Sequence, residues 1–254
     1  MKEHIILYSV VKKYFIELKR YFLNTLMTMI GIFILFMLVF FGLRSFDAGT
    51  ETLQGTIIGF AMWIFAVMAY SEMSWGLLQE ARDGTLEQLY LTPSSFRRIS
   101  AYRVLGSFIF QFVLFLAFLS IMMVVTGQYL RLNPGVVILV GLTLLSVYGI
   151  GYMMGGLSLV FKKVQAGNQI LQFMFILFLV LPTITDHPII YFVPISWGNF
   201  LINKMMVGGL TLLDFTLIEY GILLLNSFAY LIVGLIIFRV MEKIAKKRGL
   251  LGHY

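Results

Sequence analysis

The sequence predicts an all-α membrane protein with six transmembrane helices, and three observations carry that prediction. The mean hydropathy is +0.92 and only 12% of the residues are charged, about half the charged fraction of a soluble domain. Six apolar runs follow one another along the chain, each read as a helix crossing the bilayer's hydrocarbon layer of about 30 Å. Lys and Arg crowd one set of connections. With both termini on one side, sixteen of the nineteen fall on that side, and only Arg44, Arg131 and Lys204 fall on the other. This is the positive-inside pattern. It predicts a multi-pass cell-membrane protein with both termini cytoplasmic. It also reads the net charge of +7 as membrane orientation, with no nucleic-acid partner.

Residues 1–21 form the first unit, predicted as an N-terminal interfacial helix. Leu7, Val10, Val11, Tyr14, Leu18 and Tyr21 recur at helical spacing, and Lys12, Lys13, Glu17, Lys19 and Arg20 fill the rest. A basic amphipathic helix beside a span lies in the membrane interface; the plainer alternative is an extension of the first span. Charged residues alternate with apolar ones here and no small-residue cleavage site follows, so a secretory signal is not expected.

Residues 22–240 hold the six spans, at about 22–43, 55–73, 101–126, 135–161, 170–184 and 216–240. In the first, Asn24, Thr25 and Thr28 lie near the membrane edge, where such groups bond to backbone or headgroups. The second ends at Glu72 and Trp75. A carboxylate inside a membrane is a functional candidate by default, but Glu72 lies far enough along the run to reach the interface. Gln111 is the one strongly polar interior residue of the third span. It is equally a candidate to line a path and to bond a neighbouring helix. In the fourth, Gly149, Gly151, Gly155 and Gly156 cluster, and the Gly151–Gly155 spacing permits close helix approach. Tyr148 and Tyr152 flank them as candidates to face a cavity. Lys162 and Lys163 end this span, and Gln165–Gln169 reads as a tight inner turn.

The fifth span carries Pro182 near its outer end. The outer stretch 187–215 follows. Its part Pro188–Trp197 is apolar, broken by Pro188 and Pro194, and far too short to cross. With Trp197 as an interfacial residue type, it predicts a re-entrant segment, which membranes tolerate only when its backbone is packed on protein or water. Residues 198–216 read as a mixed connector. The sixth span has Glu219 near its start and Asn226 inside, another candidate for path lining or interhelical bonding. Residues 241–254 form a basic tail.

Several chemistries are not expected. There is no cysteine, and His4, His187 and His253 all lie outside the spans, so no metal site is predicted. No constellation of nucleophile and base appears, so the chain is not expected to be an enzyme or to carry a cofactor.

The loop 79–98 joins the second and third spans and contains the most polar stretch, Gln79–Pro93. Asp83-Gly84 is a turn dipeptide. Thr85 and Gln88 make a capping box. Leu86, Leu89 and Tyr90 share one face, and Pro93 discourages continuation. The result is a predicted helix of about two turns, too short to be stable alone. It needs a surface to lie on. A plain inner turn takes about 2–8 residues, and this connection is much longer.

At these positions the chain resembles a known family. The pattern Glu80-x-x-x-Gly84-Thr85-Leu86-Glu87-x-Leu89-x-x-Thr92-Pro93 is similar to the first cytoplasmic loop of ABC-2 type transporter permeases, the transmembrane subunits of bacterial ABC exporters. The resemblance implies a coupling helix that docks on a separate ATPase, with Glu80, Gly84, Thr85, Leu86, Glu87 and Leu89 in docking roles and Arg82 beside them as an ion-pair candidate. It implies two permease chains, identical or different, working with two copies of the ATPase, which would bind ATP and Mg. No G-x-x-x-x-G-K-[ST] occurs in this chain, so the phosphate-binding loop would belong to that partner.

The activity implied is export of a hydrophobic or amphipathic substrate (a drug, antibiotic or peptide) by alternating access. Abundant Phe, Met and Tyr suit such cargo. A lipid or lipid-linked polysaccharide is the nearest alternative, ahead of a non-transporting membrane anchor. An ion-coupled secondary transporter needs acids in mid-membrane. Only Glu72 and Glu219 are candidates, and both lie near span ends.

Overall fold

The computed structural model describes residues 22–46, 49–82, 96–161, 164–185 and 187–247, together with positions 12, 16, 19 and 20; the side chains at 25, 77–82 and 96–101 are not among those described. Most of the predicted interfacial helix, the docking residues Gly84, Thr85, Leu86, Glu87 and Leu89, and the tail beyond Lys247 lie outside the described residues.

Among the described residues seven α-helices follow in order: α1 (Phe22–Ser45), α2 (Thr50–Arg82), α3 (Phe96–Thr126), α4 (Gly135–Val160), α5 (Gln165–Ile184), α6 (Ser196–Met206) and α7 (Leu217–Lys247). Short 3-10 turns occupy Pro188–Tyr191 and Leu212–Asp214, and there is no strand among the described residues. All of these helices except α6 are long and apolar enough to cross a membrane, which makes six among the described residues. The chain is therefore a multi-pass membrane protein whose described residues are helical apart from their connections.

Several boundaries differ from the sequence reading. α2 runs on through Gln79, Glu80 and Arg82, so the polar stretch begins as helix. Gln, Glu, Ala and Arg are good helix formers and nothing in Gln79–Arg82 stops propagation. Gln165–Gln169, expected as a turn, is the first part of α5. Its Asn168 is buried and accepts a hydrogen bond from the Tyr70 hydroxyl at 2.6 Å, a tertiary contact that holds the turn in helical form. α7 continues to Lys247, so residues 241–247 are helix and not a separate tail. There Lys246 pairs with Glu242 one turn earlier at 2.6 Å, and lysines at a helix C-terminus face the negative end of its dipole. The predicted connector 198–216 contains most of α6.

α4 is the central helix. Two-thirds of its span (67%) is buried, against 11% for α1. Glycine makes this possible at two places. A Cβ on Gly149 would run into the backbone of Tyr230 on α7, and Gly234 of α7 meets Gly149 in return. A Cβ on Gly151 would sit 2.9 Å from Met73 Cβ on α2. Gly149 meets α7 and Gly151 meets α2, so the close approaches serve two neighbours.

The bundle has two distinct ends. At one, the connections gather: Gln54 Nε2 donates to the Tyr129 carbonyl at 3.1 Å, and the Arg131 N–H donates to the Met206 carbonyl at 3.0 Å. The Asp214 carboxylate there accepts from the Thr211 backbone N–H at 2.7 Å and its hydroxyl at 2.8 Å. Those two bonds hold the carboxyl below the usual range. The opposite end carries Arg82, Arg97, Arg98, Arg103 and the C-terminal lysines of α7; it is called the basic end below.

Candidate ligand chamber

α1 meets its neighbours through phenylalanines. Phe36 packs edge-on against Phe60 of α2 at 5.4 Å, and Phe33 against Phe118 of α3 at 6.0 Å. Nearer the basic end, residues 24–32 of α1 line a chamber of about 290 Å³ instead. Its walls include Asn24 and Thr28 of α1, Trp63 and Met68 of α2, and Gln111 and Phe115 of α3. The lining is almost wholly apolar. Next to it lies an open recess of about 470 Å³ formed by Met68, Ser71, Glu72, Trp75, Gly76 and Gln111. Met68 and Gln111 belong to both.

Gln111 therefore stands between the two spaces. It is only 7% exposed. Its Nε2 donates to the Met68 carbonyl at 3.5 Å, the outer limit of a hydrogen bond. Its Oε1 is buried with no donor in reach among the described residues. The amide thus touches α2 and lines the chamber.

Glu72 is paired. Its side chain is 16% exposed and its Oε1 lies 3.1 Å from Nε of Arg103, itself 13% exposed. It is a largely buried carboxylate neutralised by a cation on α3. α2 and α3 lie side by side and bring the two residues level.

A polar seam between α2 and α5 backs the chamber. Trp63 Nε1 donates to the Gln172 carbonyl at 3.0 Å, Gln172 Nε2 donates to Ser71 Oγ at 3.2 Å, and Tyr70 bonds Asn168. The sequence reading missed Trp63, Asn168 and Gln172 as site-shaping residues. The signal was present: Asn168 and Gln172 are polar at an i, i+4 spacing, one helical face, at the start of an apolar run.

Other candidates go elsewhere. Tyr148 and Tyr152, candidates to line a path or to bond between helices, line neither the chamber nor the recess. Tyr148 is buried with its hydroxyl 3.4 Å from Ser107 Oγ, and Tyr152 packs edge-on against Phe238 at 5.8 Å. The glycine-mediated approach of α4 to α7 brings Phe238 against Tyr152. Asn226 bonds the stretch before α6: its Nδ2 donates to the carbonyls of Tyr191 at 2.8 Å and Val193 at 3.3 Å. Tyr230 donates to the Phe192 carbonyl at 3.0 Å. These side chains satisfy irregular backbone that has no helical partner.

Pro188 opens the first 3-10 turn and is exposed, while Pro194 is buried. Trp197, expected at an interface, is 6% exposed. Its Nε1 donates to the Glu219 carbonyl at 3.1 Å, and its ring stacks on Phe200 at 4.9 Å. Its N–H has a partner inside the protein, as a buried indole N–H usually does. Glu219 itself is occupied. Its Oε2 accepts from the Thr216 N–H at 2.8 Å, completing a capping box for α7, and Lys204 lies 3.6 Å from Oε1.

Glu80 and Arg82 lie in the last turns of α2. Among the described residues no group of three His, Cys, Asp or Glu is placed to hold a metal ion. No protein-family model, no curated protein and no solved structure matches the chain.

Proposed function

We propose that this chain is the membrane-spanning subunit of an ABC-2 type exporter, moving a hydrophobic or amphipathic molecule with energy supplied by a separate ATPase. The observation that carries the reading is the pattern Glu80 to Pro93 at the junction of the second and third spans. A bundle of six helices apolar enough to cross a membrane, with an apolar chamber among α1, α2 and α3, is consistent with it. In this reading the helix around Glu87 docks on the ATPase, and α2, continuous from the chamber wall to Arg82, transmits the movement. The ion-coupled alternative loses support because both of its acids are engaged, Glu72 by Arg103 and Glu219 by Thr216 and Lys204.

The test is co-purification from native membranes. ATPase activity should accompany the wild-type chain, and should be lost with Glu87→Arg or deletion of residues 85–91 while the chain still inserts. A wild-type chain that carries no ATPase activity, or a variant that retains it, overturns the proposal.

A further inference from the structure

We infer that the chamber and recess together bind a free amphiphile with one cationic head and one apolar body. As the substrate class of an exporter this rests on the reading above. As a binding site it stands on this chain alone.

The chamber lies between α1, α2 and α3 and its exposed lining is mostly apolar, so it suits an apolar body. The recess is open and lies on the basic-end side of Met68 and Gln111. Their volumes, about 290 and 470 Å³, compare with the roughly 300–1,000 Å³ of small-molecule sites. Gln111 joins them, and its amide oxygen is buried and without a hydrogen-bond partner among the described residues.

The chemistry of the head follows from the recess. Glu72 is on its wall and Arg103 is not. The guanidinium approaches one carboxylate oxygen, Oε1, at 3.1 Å. A carboxylate accepts at two oxygens with about four lone-pair sites, so acceptor capacity remains on Glu72, which stands on the recess wall. Trp75 stands one turn along on the same wall. A carboxylate beside an indole ring is the surrounding that holds an ammonium group, by charge and by cation–π attraction. An anionic head would meet the carboxylate instead of the guanidinium.

Two of the three tryptophans, Trp63 and Trp75, report on the site, since one lines the chamber and the other the recess. The purified chain in nanodiscs is titrated with chain-brominated dodecyltrimethylammonium, dodecyl sulfate and dodecyl maltoside, and tryptophan quenching is followed. The cationic chain should reach half-quenching at a concentration about ten-fold lower than the anionic one, the discrimination expected of a paired ammonium. Quenching should vanish in Trp63→Phe/Trp75→Phe.

The swap Glu72→Arg/Arg103→Glu should reverse the order of the charged chains. The neutral pair Glu72→Gln/Arg103→Gln, which avoids any unpaired buried charge, should abolish the preference. Comparing variants in one bilayer cancels bulk partitioning. Equal half-quenching by cationic and anionic chains, or a preference unchanged in the neutral pair, overturns the inference. A separate arm uses nanodiscs of brominated phosphatidylethanolamine or phosphatidylglycerol with no added amphiphile. Quenching by the amine lipid together with none by the single chain overturns the free-amphiphile assignment. None of these measurements needs the ATPase, so failure here and failure of the export reading are separate results.

Discussion

Glu72 and Arg103 show how much a single pair can decide in an apolar bundle. Each is mostly buried, and each neutralises the other. Removing one partner from a buried pair costs about 3–5 kcal/mol, because the other charge is left uncompensated, whereas replacing both is close to neutral. Arg103→Leu is therefore expected to lower the unfolding temperature of the purified chain sharply. Adding Glu72→Gln should restore most of the loss, and thermal unfolding in detergent reads both. The carboxamides make the complementary point. Gln111 and Asn226 were both legible as polar residues in apolar runs. Asn226 satisfies two carbonyls of irregular backbone, while the Gln111 amide oxygen is buried without a partner among the described residues. Residue type and spacing are the same kind of signal in both cases. The difference lies in what stands opposite, which comes from parts of the chain far away in sequence.

At the scale of elements, helix contacts in a membrane depend on close fit, because lipid is as apolar as the side chains and gives no hydrophobic drive for association. α4 achieves that fit with glycines turned to α7 and to α2. Gly149→Ala forces a methyl group into the Tyr230 backbone and is expected to cost about 1–3 kcal/mol. Gly59→Ala is the control: nothing lies near its added Cβ, and the better helix former should leave stability unchanged or raise it by up to about 1 kcal/mol. Thermal melting of the two variants side by side checks the contrast. The non-spanning stretch behaves as an element of its own. Ile195, just before α6, adopts φ of 68°, a strained value for a β-branched residue. It is buried between Pro194 and Ser196, and the Asn226, Tyr230 and Trp197 hydrogen bonds hold the segment around it.

For the whole molecule, six crossings place the connections 46–49, 127–134 and 185–216 on the side opposite the α7 C-terminus. Absence of native cysteine makes single-cysteine labelling clean. Phe192 is 75% exposed, so Phe192→Cys should react with a membrane-impermeant maleimide from one side and Lys243→Cys from the other. Reaction of both from the same side would contradict the crossing number. Adding Asn226→Leu to Phe192→Cys should speed its labelling, because the Tyr191 and Val193 carbonyls lose their donor.

Span number and the position of the polar junction were determined by the sequence alone, because length of apolar run and clustering of charge are local properties that a membrane reads directly. Helix ends were less legible: Gln165–Gln169 looks like a turn until Tyr70 supplies a partner for Asn168, and Gln79–Arg82 looks like a loop although nothing in it breaks a helix. The site depended on tertiary structure. Whether Gln111, Tyr148 or Asn226 meets a cavity, a hydroxyl or a carbonyl is set by which helices lie side by side. That arrangement follows from glycine contacts and buried polar pairs between distant segments, and no window along the chain contains both halves of such a pair.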